Sequence, residues 1–227
     1  MNTPFPQGIR AALIDMDGVL YDSMPHHARA WHSMMEEQGI KTSPEEFFLY
    51  EGMTGAATIN LIFNREFGRD ATDKEKKDLY ARKSQLFVES GKKIPMPDAD
   101  RMLRAFIFAG IPRVLVTGSA QSSLLNNIDI DYPGAFQGNP DPEPYLKGLE
   151  KAEVKPEEAI VVENAPLGVR AGKAAGCFTV AVTTGPIPRK EFEKEGADVI
   201  FSSMVEFADW LQSNLPNPIA DQLDQTV

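Results

Sequence analysis

One cysteine, Cys177, stands among 227 residues, so no intrachain disulfide can form and a reducing compartment fits. Basic residues are scarce: 23 Lys and Arg face 33 Asp and Glu, a formal net charge of −10. That deficit argues against nucleic acid or an anionic membrane as partner, since both reward clustered Lys and Arg. An acidic chain that handles anionic phosphates needs local positive charge from a metal or from backbone N–H groups. No stretch approaches the ~20 apolar residues of a membrane-spanning helix. The start, "MNTPFPQGIRAALIDMDG", has no basic lead, and its apolar stretch ends at once in aspartate, so no secretory leader is expected. These absences lead to the expectation of a soluble, cytoplasmic protein. With 42% hydrophobic residues, a real core can be buried, and the length suits one domain with an insertion.

What is present is a repeating pattern. Apolar runs that end in small or polar residues occur at "ALIDMDG", "RVLVTGS", "AIVVENA" and "FTVAVTTG", with a weaker one at "ADVIFSS". Continuous apolar runs of this kind fit parallel strands buried on both faces. Helical patterns lie between them, at 98–110, 142–152, 167–176 and 204–215. The alternation predicts an α/β fold with a doubly wound parallel sheet, in which ligands bind beyond the carboxyl ends of the strands. Residues 24–94 break the alternation and read as helix throughout, with Ser43 as an N-cap and Pro44 at the first helical position. The expected organisation is a Rossmann-like core from 1–23 and 95–215, an all-α insertion at 24–94 and a flexible tail at 216–227.

Three strand ends carry chemistry. In "IDMDG", Asp15 and Asp17 follow the first strand, and Gly18 gives the loop freedom to turn both carboxylates toward one centre. Asp15 suits a ligand for a hard cation and a nucleophile, and Asp17 suits proton transfer. Taken alone, the pair is equally a solvated loop. In "VTGS", Thr117 and Ser119 bring hydroxyls to the start of a helix, an anion site or a plain N-cap. In "VVENA", Glu163 and Asn164 add oxygen donors. Together these are the parts for phosphoryl transfer. Two other patterns carry nothing. "GVRAGKA" has glycines too close for a phosphate-binding Walker loop. His27 and His32 are five apart and do not share a helix face.

"DMDGV", "VTGS", "NPDPEPYL" and "VVENAPLGVRAG", in this order, resemble the haloacid dehalogenase-like hydrolase superfamily. "DGVLYDSMPHHARAW" is similar to its β-phosphoglucomutase-like phosphatase branch, and the likeness runs from residue 11 to about 203. The resemblance implies a Rossmann-like core with a helical cap inserted after the first motif. It implies Asp15 as the nucleophile that becomes an aspartyl-phosphate, and Asp17 as acid and then base. It implies Mg²⁺ held by the Asp15 carboxylate, the Asp17 backbone carbonyl and Asn164, with Glu163 supporting that shell. Thr117, with the N–H groups of Gly118 and Ser119, would bind phosphate. On the cap, His27 and Lys83 would time the proton transfer at Asp17.

The sequence departs from the family pattern in three places. Asn164 stands where many relatives have aspartate, which removes a negative charge; Glu51 of "YEGMTG" could reach in from the cap or remain an exposed loop acid. Asn139 of "QGNPDPEPYL" stands where the family carries a lysine, and the preceding segment is too short for the usual strand. Lys147 is the nearest substitute, but on the following helix it would point elsewhere. The loop "EGMTGAAT" has no arginine, and the position where mutases place the one that holds a second phosphate falls at about Gly55. Trp31, Phe47 and Phe48 read as cap packing. The sequence therefore leads to a Mg²⁺-dependent phosphohydrolase of small phosphorylated metabolites, a sugar phosphate or pyrophosphate, acting as a monomer or weak dimer. The alternatives are a β-phosphoglucomutase, or an impaired relative that only binds a phosphorylated ligand or a partner.

Overall fold

A computed structural model describes residues 3–90, 94–117 and 141–216. Five parallel strands form one sheet: β1 (Ala11–Ile14), β2 (Arg113–Leu115), β3 (Ala159–Glu163), β4 (Phe178–Val182) and β5 (Val199–Phe201). Their order is β2-β1-β3-β4-β5. The sheet predicted from alternating strands and helices is therefore present, and the weak run at 197–203 supplies its last strand.

Side-chain alternation along β1 builds two core layers. Ala12 and Ile14 face a layer with Met102 and Phe106 of α4 (Ala99–Phe108), joined by Phe207, Trp210 and Leu211 of α8 (Met204–Asn214). Leu13 faces the other layer, with Tyr145 and Leu149 of α5 (Glu143–Ala152) and Ala171 of α6 (Pro166–Ala174). All four residues of β1 are fully buried, as a central parallel strand covered on both faces requires. A short helix, α7 (Arg189–Lys194), precedes β5. The sequence reading did not predict it, because six residues are too few for periodicity to register.

The register of β1 fixes the level of the chemistry. Ile14 pairs with Leu115 on one side and Val162 on the other. The ladder then closes with Asp15 N–H donating to the Val162 carbonyl at 3.0 Å and Val116 N–H to the Ile14 carbonyl at 2.8 Å. Asp15, Thr117 and Glu163 leave the sheet side by side. β1 lies between β2 and β3, so the chain runs to both sides of it, the arrangement that opens a crevice at strand ends.

Between β1 and α4 the chain is helical but not helix throughout. It forms α1 (Met24–Glu37), a 3₁₀ turn at Pro44–Phe48, α2 (Gly55–Phe67) and α3 (Asp73–Glu89). Pro44 does open its turn, but Ser43 makes no side-chain cap bond there. Phe47 enters the cluster of the inserted helices, with Met34, Ile59 and Ile62. Phe48 also packs against the core cluster of Val169, Ala181 and Phe192. Trp31 stacks on Phe47 with ring centroids 5.9 Å apart, so the predicted packing role of these aromatics is met. α3 begins with a capping box: Thr72 accepts from Glu75 N–H at 3.2 Å and the Glu75 carboxylate accepts from Thr72 N–H at 2.7 Å.

Candidate active site

A cavity of about 380 Å³ lies between the strand ends and the inserted helices. Its lining includes Asp15, Asp17, Thr117 and Glu163 from the core, with His27, Glu51 and Lys83 from the insertion. Gly118, Ser119 and Asn139 lie outside the described residues. Asn164 lines a second, smaller cavity of about 180 Å³ with Gly18 and Thr184. It is tied to the first by its Nδ2, which donates to Glu51 Oε1 at 2.6 Å. The cap-loop acid therefore does reach the strand-end amide.

Asp17 is held through one oxygen. Ser23 Oγ–H and His27 Nε2–H both donate to Asp17 Oδ1, the latter at 3.2 Å. Lys83 Nζ approaches His27 Nδ1 at 2.6 Å. A lysine ammonium can only donate, so Nδ1 is the acceptor and the proton sits on Nε2. Burial pushes the Asp17 carboxyl up, but His27, Ser23 and the Lys83 charge outweigh it and hold the group below its usual range. Burial lowers His27 and takes Lys83 down to about 8, against the pull of Asp17.

The acids around Asp15 act the other way. Burial, then the charges of Glu163, Asp17 and Glu51, raise the Asp15 carboxyl well above the usual range. Burial likewise takes Glu163 up to about 7, even though it accepts from Tyr145 O–H at 2.6 Å and from the N–H groups of Asn164 and Ala165 at 3.0 and 3.1 Å. Glu51 is raised well above its usual value by burial and by the charges of Glu163 and Asp17, against the Asn164 hydrogen bond. Asn164 Oδ1 is buried with no hydrogen-bond partner among the described residues. Crowded carboxylates beside an orphaned amide oxygen suit a hard divalent cation, which takes oxygen ligands and neutralises their charge. No cluster of three or more His, Cys, Asp or Glu is arranged for a metal among the described residues, so a cation here would need amide and backbone oxygens as well.

Sequence reasoning missed Tyr145. It is 1% exposed, and its hydroxyl orients Glu163 from α5. The signal was a lone polar ring on the apolar stripe of "EPYLKGL". Replacing Tyr145 with phenylalanine strands a buried carboxylate oxygen and is expected to cost about 1–3 kcal/mol of stability. A denaturant midpoint unchanged from wild type would contradict that role. Ser23, at the start of α1, was missed as well, since any serine before a helix reads as an N-cap. Lys147 sits half-exposed on α5 and pairs with Glu143 at 2.7 Å, so it points elsewhere, as anticipated.

Tyr80 was also missed. Its ring lies against Gly55 so closely that a β-carbon at position 55 would overlap it. An aromatic ring from α3 therefore covers the start of α2 at Gly55.

Comparison with known proteins agrees with this layout. Residues 9–176 match the haloacid dehalogenase-like hydrolase family. Hexitol phosphatase A of Escherichia coli (strain K12) is 32% identical over 184 residues, covering 75% of this chain and 81% of that protein. Phosphoglycolate phosphatase of Nitrosospira multiformis is 26% identical over 227 residues, covering 92% and 99%. Among solved structures, a Bacteroides vulgatus protein provisionally named a β-phosphoglucomutase is 43% identical with a TM-score of 0.86, over 93% of this chain and 92% of that one. With its motifs at the ends of adjacent parallel strands, this chain belongs to the haloacid dehalogenase-like hydrolase family.

Proposed function

We propose that this enzyme is a Mg²⁺-dependent phosphohydrolase of small phosphorylated molecules, and that inorganic pyrophosphate is its preferred substrate class. The observation that carries the reading is the convergence of Asp15, Asp17, Thr117 and Glu163 in one cavity, with His27 and Lys83 behind Asp17. Two of the named relatives are phosphatases of small molecules by name. The helices at 24–94 act as a cap over a core made of 1–23 and 95–215, in a cytoplasmic monomer or weak dimer.

An Asp15 carboxylate oxygen attacks phosphorus, and the bond from phosphorus to the leaving oxygen breaks. Water then attacks the same phosphorus, Asp17 takes the water proton, and Asp15 is released with inorganic phosphate. Thr117 orients the phosphoryl group, and closure of the cap excludes water from the first step. Asp15, Asn164 and the Asp17 carbonyl would hold Mg²⁺, with Glu163 and Glu51 in support. When bound, the cation neutralises phosphate charge and keeps Asp15 ionised.

Two features favour a small leaving group that departs as an anion. Tyr80 packs on Gly55 at the cap side of the cavity and narrows the room there for a sugar. His27, Ser23 and the Lys83 charge hold the Asp17 carboxyl below its usual range, which favours it as a proton acceptor over a donor. An alkoxide needs that proton; a departing phosphate does not. The same ring on Gly55 disfavours a β-phosphoglucomutase, the name given to the Bacteroides vulgatus protein.

Initial rates of phosphate release should be measured for pyrophosphate, glycerol phosphate and hexose phosphates, with and without Mg²⁺. Pyrophosphate is expected to lead in kcat/KM, and only with the cation. Hexose phosphates in the lead would overturn the leaving-group reading. No turnover with any substrate would favour the impaired relative, whose motive is Asn139. Glu51→Ala is expected to weaken Mg²⁺ binding about 10- to 100-fold, as for other residues that support a metal's ligands. Titration calorimetry checks this, and unchanged affinity would leave Glu51 a bystander.

A further inference from the structure

Lys83 is 3% exposed and sits on the apolar stripe of α3 with Leu79. Its ammonium is enclosed by rings: Trp31 at 5.3 Å, Tyr80 at 5.9 Å and Phe87 at 5.3 Å from the ring centroids. Phe87 has a second contact. It stacks on His27, centroids 4.0 Å apart and planes within 27°. Phe87 does not line the substrate cavity. It touches the proton-transfer line from behind and can act only through it.

We propose that Phe87 is a positioning residue for proton transfer at Asp17. Its ring fixes the plane of His27 and flanks the Lys83 ammonium, so that Nε2–H is presented to Asp17 Oδ1. Both described donors to Asp17 converge on that oxygen, which assigns Oδ2 as the oxygen that takes the water proton. This rests on the reading of Asp17 as the proton carrier.

A balance of charge sets the protonation of Lys83. Burial disfavours the ammonium, while the faces of three rings and the Asp17 carboxylate favour it. The titratable groups facing Lys83 are His27 from α1, Asp17 from the loop after β1 and Tyr80 on α3 itself; His26 adds to the field at His27. Loss of one ring removes a favourable contact from the charged form only. Lys83 must then lose its proton at lower pH. His27 Nδ1 loses its charged donor, and the alkaline limb of kcat/KM moves toward acid.

The test compares wild type with Phe87→Leu, which removes the ring, and Phe87→Tyr, which keeps it. Lys83 titration is read by ¹³C NMR of lysine-labelled protein, with Lys83→Arg for assignment, and the pH profile of kcat/KM is read in parallel. In Phe87→Leu, Lys83 titration and the alkaline limb are both expected to move down by about 0.5 unit or more, and Phe87→Tyr to restore both. Phe87→Met, closer in volume, replaces the leucine variant if that one unfolds. An unmoved Lys83 titration in a folded variant would overturn the proposal. A moved titration with an unmoved rate profile would instead defeat Asp17 as proton carrier, and the positioning role with it.

Discussion

Replacing Asp15 with asparagine is expected to lower phosphate release by about 10⁴-fold or more, the scale seen when a covalent nucleophile is removed. Asparagine keeps the shape of the side chain but not its nucleophilic oxygen. The same substitution is expected to raise the melting temperature of the metal-free protein at neutral pH. The sign follows from linkage. Burial and the charges of Glu163, Asp17 and Glu51 raise the folded-state pKa of Asp15 above its unfolded value. Asp15 therefore costs no stability below its unfolded pKa and costs progressively more as pH rises from that value toward the raised folded one. An amide removes the penalty. Calorimetry at neutral pH and at pH 4 checks this: the gain of Asp15→Asn over wild type should shrink at the lower pH. A residue spent on stability would show the opposite, a melting temperature that falls with activity.

Gly18→Ala is the second large effect. Gly18 has φ +84°, and a β-carbon there would overlap the Asn164 amide. The chain turns at this residue immediately after Asp17, and Thr184 Oγ1–H secures its carbonyl at 2.7 Å. Alanine must either leave the left-handed region, which moves the loop, or push Asn164 off Glu51. The backbone alone costs about 1–2 kcal/mol. Misplacing reacting groups by about 1 Å costs on the order of 10²-fold in rate, so kcat is expected to fall at least that far. Mg²⁺ affinity should fall with it, because Asn164 is displaced. Full activity with normal affinity would show that the loop tolerates both movements.

What was legible in the sequence follows from what is local. β1, β3 and β4 are apolar runs buried on both faces, and no tertiary knowledge is needed to see them. Asp15, Asp17, Thr117 and Glu163 were legible because each follows such a run, and parallel strands in register bring their ends together. Glu51 was legible as a loop acid that could reach in or stay exposed, and the fold decides it by laying the carboxylate on Asn164, 113 residues away. Tyr145, Ser23, Tyr80 and Phe87 were not legible as site residues. Each reads locally as an ordinary helix residue, and its role comes from a partner on another element. Tyr80 shows this most plainly. Nothing in "KKDLYARK" announces that its ring will lie over Gly55 and shape the cap side of the cavity.

In the proposed mechanism Asp15 carries the phosphoryl group. Rapid acid quench of the enzyme during turnover of pyrophosphate with Mg²⁺, followed by mass spectrometry of the peptide that contains Asp15, is expected to show a phosphorylated Asp15 that forms before steady state and is absent from Asp15→Asn. Phosphate released in a single turnover with Asp15 never modified, or undiminished release by Asp15→Asn, would contradict it.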